Sequence, residues 1–188
     1  MKLSQVTLIG ADDVDPIGLY SVFELCLSYC EFGDVKLLTS KKISLPFIIE
    51  CSPLRSLEEY SKFCIQQMHE YVDTEFCLIV QRDGYIRNPL AWKDEFLEWD
   101  YIGGILPTGI VGNGGFSLRS KRLLKMISQM IDLGEDPLSY NPEDQIICGY
   151  FRHELQAAGI KFCPPELASQ FAIANGTWKN EFGFHKEK

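Results

Sequence analysis

Five consecutive apolar residues, Phe76-Cys77-Leu78-Ile79-Val80, run straight into the polar stretch Gln81-Arg82-Asp83-Gly84. A strand with no polar face must be covered on both sides, so this segment belongs at the centre of a sheet. Shorter apolar runs repeat the theme at Val6–Ile9, Val35–Leu38 and Pro46–Cys51. Between them the pattern changes to helical spacing. Asp15-Pro16 is an N-cap followed by a first-turn proline, and Ile17, Leu19, Val22, Phe23, Cys26 and Tyr29 predict a helix over 17–30. Gly33-Asp34 is expected to turn the chain into the second strand. Ser56-Leu57-Glu58-Glu59 reads as a capping box opening a helix with Leu57, Tyr60, Cys64, Met68 and Tyr71 on one face.

Downstream, Asp100–Ile105 and Gly115–Leu118 are strand candidates, and Ser120 opens a helix through Leu123, Leu124, Ile127 and Ile131. Asn141-Pro142-Glu143-Asp144 starts another helix that ends at Gly159, with a last strand at Ile160–Cys163. Alternation of this kind predicts an α/β fold: a three-layer α/β/α sandwich around a central, mostly parallel sheet. No repeat or linker divides the chain, so residues 1–188 are expected to form a single domain.

With 188 residues, 46% of them hydrophobic, such a domain needs no disulfide or structural metal. Lys and Arg number 18 against 26 Asp and Glu, and this net charge of −8 argues against a nucleic-acid partner. The seven cysteines include no C-x-x-C pair, which suits free buried thiols in a reducing cytoplasm and offers no zinc spacing. The sequon Asn175-Gly176-Thr177 carries no weight in that compartment. Met1–Ile9 does not read as a signal peptide. The longest uncharged stretch, Tyr101–Leu118, holds six glycines and Pro107, so no transmembrane segment is expected.

In an open α/β sheet, ligands bind beyond the carboxyl ends of the strands. Those ends carry Asp12, Asp13 and Asp15, then Gln81–Gly84, Gly112–Gly115, and Glu143 with Asp144. Asp83 beside Gly84 suits a hard divalent cation, although the same residues also make an ordinary Asp-Gly turn. A bound Mn²⁺ or Mg²⁺ would let an acidic protein hold a phosphate. The run Val111–Ser120 is neither a P-loop nor a dinucleotide fingerprint, and its glycines are expected to let a flat ligand lie against backbone. Glu143 and Asp144, in a first helical turn, read either as dipole-favoured capping residues or as a general base kept ionised by that dipole. His185, framed by Phe182-Gly183-Phe184, reads as an imidazole ligand on a packed tail. The capping-box segment either presents Arg55 or Lys62 to a phosphate or is simply a capped amphipathic helix. Trp92, Trp99 and Trp178 suit either stacking on a ligand or core packing, whereas His69 and His153 read as ordinary helix residues.

Taken in order, VTLIGADD, SLEEYSKF, VQRDGYIRNPLAW, FLEWDYIGG, VGNGGFSLRS, PEDQIIC, GIKFCPPELASQFA and FGFH resemble the bacterial DUF5672 family of glycosyltransferase-like proteins. The resemblance spans almost the whole chain. It implies a GT-A fold of the nucleotide-diphospho-sugar transferase type. Asp83 matches the D-x-D metal motif, with Gln81 at its first position, and His185 matches a C-terminal metal-binding histidine. The donor would lie on Ala11, Asp12, Asp13, Arg55, Tyr60, Gln81, Arg82 and Asp83. Asn113, Gly114, Gly115 and Phe116 would line the donor and acceptor sugars, and Asp144 with Glu143 would be the catalytic acidic pair. The activity that the resemblance implies is a metal-dependent, inverting transfer from a nucleotide-diphospho-sugar to a glycan or other hydroxyl acceptor, in a setting such as surface polysaccharide assembly. Two other readings stand beside it. One is a non-catalytic nucleotide-sugar binder, suggested by Gln81. The other is a Mg²⁺ phosphohydrolase, suggested by Asp12, Asp13 and Asp15.

Overall fold

A computed structural model describes residues 1–131 and 141–186. The chain forms strands β1 (Lys2–Ala11), β2 (Glu31–Thr39), β3 (Ile48–Glu50), β4 (Phe76–Ile79), β5 (Gly84–Ile86), β6 (Tyr101–Gly103), β7 (Ser117–Ser120), β8 (Ala172–Ala174) and β9 (Gly183–His185). Its helices are α1 (Pro16–Tyr29), α2 (Leu57–Gln66), α3 (Lys121–Met130), α4 (Glu143–Gln145), α5 (Arg152–Ala157) and α6 (Pro165–Phe171). Six strands make the central sheet in the order β3-β2-β1-β4-β7-β6. The first four are parallel and β7 is antiparallel to both of its neighbours. The expected mixed, mostly parallel sheet is therefore present.

Alternation along each strand divides the core. Leu8, Leu37, Leu78 and Leu118 face α1 and α6, where they meet Leu19, Phe23, Leu167 and Phe171. The next residues along, Ile9, Leu38, Cys77 and Ile79, face the other way onto Phe63, Cys64 and Met68 and onto Leu124 of α3. Both faces of β4 are thus sealed, as its uninterrupted apolar sequence requires. Each such side chain contributes about 1.5–3 kcal/mol on burial.

Local signals set the helix starts. The Asp15 carboxylate accepts from Gly18 N at 2.9 Å, and the Ser120 hydroxyl accepts from Leu123 N at 3.0 Å. Ser56 accepts from Glu59 N at 3.1 Å, but Glu59 returns its carboxylate to Arg55 N, one residue beyond the reciprocal partner of a capping box. Gly159, at φ +87°, follows α5 in the left-handed conformation that favours glycine.

Other expectations fail for identifiable reasons. Gly33-Asp34 lies inside β2, because strand pairing with β1 begins at Glu31. The helix expected from Asn141 to Gly159 is broken by a wide turn at Ile146–Tyr150. Ile160–Cys163 is not a strand; it joins β6 through one bridge, Tyr101 to Phe162. A second, small sheet of order β5-β9-β8, with α6 leading into it, is not expected from the sequence pattern. Among the described residues, no helix is long and apolar enough to cross a membrane.

Candidate functional site

A cleft of about 740 Å³ opens at the carboxyl ends of β1 and β4. Ala11, Asp12, Asp13, Arg55, Tyr60, Gln81, Arg82, Asp83, Asn113, Gly114, Gly115, Glu143, Asp144 and His185 all line it. Residues 11 and 185 meet here because of the small sheet. Gly84 pairs directly with His185 across β5 and β9, which brings the last histidine beside Asp83. Lys186 N then donates to the Asp83 carbonyl at 2.8 Å. Sequence reasoning missed Lys186 and Asn175, which also line the cleft. Their only signal was adjacency to His185, in sequence for one and through the β8–β9 pairing for the other.

Five carboxylates face this space, and their partners sort them. Asp13 accepts four hydrogen bonds, from Thr39 Oγ1, Ser40 N, Ser40 Oγ and Leu54 N, at 2.6–2.8 Å. Burial opposes its ionisation, but the bonds from Ser40, Leu54 and Thr39 outweigh burial and hold it at about 2. Asp12 accepts from Val14 N, Asp15 N and Arg82 Nε. Asp15 caps α1. These three carboxylates, which would carry a phosphohydrolase centre, are all committed to the fold. Glu143 is buried and ion-paired to Arg119 Nη2 at 2.8 Å. Asp83 and Asp144 remain.

Asp83 Oδ1 lies 3.4 Å from His185 Nε2. His185 Nδ1 lies 2.9 Å from Asn113 Oδ1. An amide oxygen only accepts, so Nδ1 carries the ring proton of this contact, and in the neutral tautomer that this fixes the lone pair lies on Nε2. That Nε2 is buried without a hydrogen-bond partner. When His185 is protonated, its donated hydrogen bond is the main cause that holds the Asp83 carboxyl below its ordinary value, a part a bound cation would take over beside the neutral ring. An orphaned imidazole nitrogen beside an ionised carboxylate fits a divalent cation, with the second ring nitrogen fixed as metal-bound histidines require. Among the described residues no group of three or more His, Cys, Asp or Glu converges. A cation here would complete its shell with phosphate and water oxygens, the habit of Mg²⁺.

Asp144 accepts from Gly114 N at 2.9 Å and from Gln145 N at 2.8 Å. Burial, and then the neighbouring Glu143, raise its carboxyl above the ordinary aspartate value. The helix dipole does not dominate, since α4 is only three residues long. Asp144 is therefore a stronger base than its position in the sequence suggests.

The glycine run works differently from expectation. A Cβ on Gly114 would lie 2.3 Å from Glu143 Oε1, and one on Gly115 would lie 2.3 Å from His185 Nε2. Those glycines admit the protein's own carboxylate and imidazole. Phe116 is fully buried and does not line the cleft; it stacks on Phe171 with ring centroids 5.2 Å apart. Its side chain points into the core because the alternation that carries Leu118 to the α1–α6 face carries Phe116 there too. Trp92 and Trp99 likewise pack against that core.

A mixed, mostly parallel sheet of this order is the GT-A fold of nucleotide-diphospho-sugar transferases. Solved structures share it. The chain aligns with a glycosyltransferase involved in glycosylation of the major capsid of PBCV-1 at TM-score 0.63 and 15% identity, covering 96% of this chain and 92% of that one. It aligns with the glycosyltransferase GlyE of Streptococcus pneumoniae at TM-score 0.52 and 13% identity, covering 96% of this chain and 54% of GlyE. The galactosyltransferase LgtC, solved in complex with donor and acceptor sugar analogues, aligns at TM-score 0.51 and 14% identity, covering 96% and 86%. No protein of curated function matches the sequence. Residues 43–185 match the family described as protein of unknown function DUF5672, and the chain belongs to that family.

Proposed function

We propose that this protein is a metal-dependent glycosyltransferase that moves a sugar from a nucleotide-diphospho-sugar to an acceptor hydroxyl with inversion. The observation that carries this reading is the pairing of Asp83 with the unpartnered Nε2 of His185, in the same cleft as Asp144. Similarity to glycosyltransferase structures supports it at the level of fold. Asp83 and His185 would hold Mn²⁺ or Mg²⁺. Bound there, the ion supplies Lewis-acid neutralisation of the departing diphosphate. Arg55, Arg82 and Lys186 line the same cleft and add positive charge toward the phosphates. Asp144 takes the proton of the acceptor hydroxyl, and its raised basicity suits that role. One in-line displacement opposite the leaving group inverts the anomeric carbon. Positioning by the rigid sheet edge and electrostatics in the cleft supply most of the acceleration. Cytoplasmic assembly of a surface polysaccharide is the proposed setting.

Calorimetric titration with UDP-, GDP- and dTDP-sugars, with and without Mn²⁺, tests donor binding. Heat should appear for at least one donor and grow with Mn²⁺; silence across all of them would sink the reading. The variant Asp144→Asn should keep donor binding and lose transfer. NMR of the sugar released by slow donor hydrolysis should show the inverted anomer. Gln81, an amide where the D-x-D motif has an acid, favours a second reading as a non-catalytic binder. Donor hydrolysis of any rate above the blank excludes it.

A further inference from the structure

Arg119 is the largest fully buried side chain of the described residues, and it does not line the cleft. It nonetheless reaches Asp144 along two routes. In the first, Arg119 Nε donates to Ser117 Oγ at 3.1 Å, Ser117 Oγ donates to the Gly114 carbonyl at 3.0 Å, and Gly114 N donates to Asp144 Oδ2 at 2.9 Å. In the second, Arg119 Nη2 holds Glu143 at 2.8 Å, and Glu143 is the residue before Asp144 in the same helical turn. The guanidinium itself is fixed over the Tyr101 ring, 5.1 Å from the centroid. A buried ion pair contributes little net stability, because desolvation offsets most of the attraction. Its place beneath a candidate base points to another role.

We propose that Arg119 is the positioning residue of the cleft: through Ser117 and Gly114 on one side and Glu143 on the other, it fixes where the Asp144 carboxylate sits and how strongly it holds a proton. This rests on Asp144 acting as the base. The fork of arginine suits the task, since one rigid group donates in two directions at once. Glu143 makes Asp144 more basic by like-charge repulsion, and Arg119 restrains that effect. The other titratable groups around the pair are Tyr101 on β6, Cys148 in the turn after α4, and Tyr60 and Cys64 on α2. Burial pushes all four up, Cys148 to about 12, so they stay neutral across the working range. Among the described residues, Arg119 and Glu143 set the charge that Asp144 feels from the core side.

The test uses ¹³C-carboxyl NMR titration of Asp144 in the full chain, assigned with Asp144→Asn, alongside the pH profile of donor turnover. Glu143→Gln keeps an acceptor for Arg119 but removes the charge. Its Asp144 midpoint should fall by about one pH unit, and the acid limb of the turnover profile should move with it. An unchanged midpoint in a folded Glu143→Gln protein would overturn the proposal. The paired replacement Arg119→Met with Glu143→Met strands no charge, so it should fold. It should bind UDP-sugar donors as the wild type does and lose about 100-fold or more in kcat at unchanged KM. Wild-type kcat in that protein would also overturn the proposal. The NMR titration needs no turnover, so a midpoint that falls in Glu143→Gln and moves again in the paired Met protein, in a chain that turns over no donor, would condemn the transferase reading and leave the coupling of Asp144 to Glu143 and Arg119 standing.

Discussion

His185 Nδ1 lies 2.9 Å from Asn113 Oδ1, which ties the C-terminal strand to the glycine-rich run 72 residues earlier. The bond decides which ring nitrogen faces Asp83. Without it, the imidazole could rotate or exchange tautomers and its Nε2 would no longer be held as a lone pair in the cleft.

Asn113→Ala is therefore expected to weaken Mn²⁺ binding about 10–100-fold, the usual effect of removing the partner of a metal-ligating histidine. Calorimetry with Mn²⁺, alone and with UDP, reads this out. Unaltered affinity would remove His185 from the ligand set.

Gly115→Ala tests the same contact from the other side. The added methyl would lie 2.3–2.6 Å from three atoms of the His185 ring, so the ring must move. We expect a loss of about 1–3 kcal/mol in urea unfolding, as for other overpacked sites. Mn²⁺ binding should fall as well. Stability lost with metal binding intact would mean that the ring can shift without consequence.

Much of this arrangement was legible in the sequence, and the illegible part has a common cause. Strand β4 announced itself because five apolar residues in a row have few alternatives. Asp15 and Ser120 announced their helices because capping is a local bond, closed within three residues. Strands β5, β8 and β9 have three residues each, too few to show a period, and their pairing joins Gly84 to His185 across 101 positions. The glycines were visible, but what fills the space above them, Glu143 and His185, depends on that non-local pairing. Between Glu143 and Asp144, resemblance alone pointed to Asp144 as the base. The buried position of Arg119 tells them apart physically.

Phe116 gives a prediction that separates core from site. It stacks on Phe171 and touches Phe182, with centroids 5.9 Å apart. Phe116→Ala should cost about 3–5 kcal/mol in equilibrium unfolding. In whatever fraction stays folded, donor affinity should match the wild type. A donor-binding defect larger than the unfolded fraction explains would return Phe116 to the cleft.

Asp13 sets an acid limit on stability. An unfolded chain releases this proton near 3.8, whereas the folded protein holds the group at about 2. The lowered value means that its contribution is complete above pH 3.8 and is lost as pH falls from there through about 2. Allowing for solvent screening at this part-exposed site, the contribution is about 1 kcal/mol. Urea unfolding of wild type and Asp13→Asn across that window measures it. The wild type should lose about 1 kcal/mol more than the variant on acidification. Parallel losses would show that the four hydrogen bonds do not favour the charged form.

Gln81 offers a direct test of where a cation would sit. Its side chain lines the cleft and its Nε2 donates to the Tyr60 hydroxyl at 3.1 Å, so the amide is engaged with α2. Backbone bonds between Gln81 and Gly84 close a tight turn around Arg82 and Asp83. Aspartate at position 81 is one methylene shorter, gives up the Tyr60 contact and adds a second carboxylate to that turn. Two carboxylates so close repel unless a cation lies between them. Gln81→Asp should therefore lower the melting temperature in metal-free buffer and recover it with Mn²⁺, because a ligand that binds only the folded state stabilises it by mass action. The Mn²⁺ dependence of melting should saturate at about tenfold lower concentration than in the wild type, since added carboxylate charge raises affinity for a hard cation. Equal Mn²⁺ dependence in the two proteins would place the ion away from the 81–83 turn and take Asp83 out of the metal site.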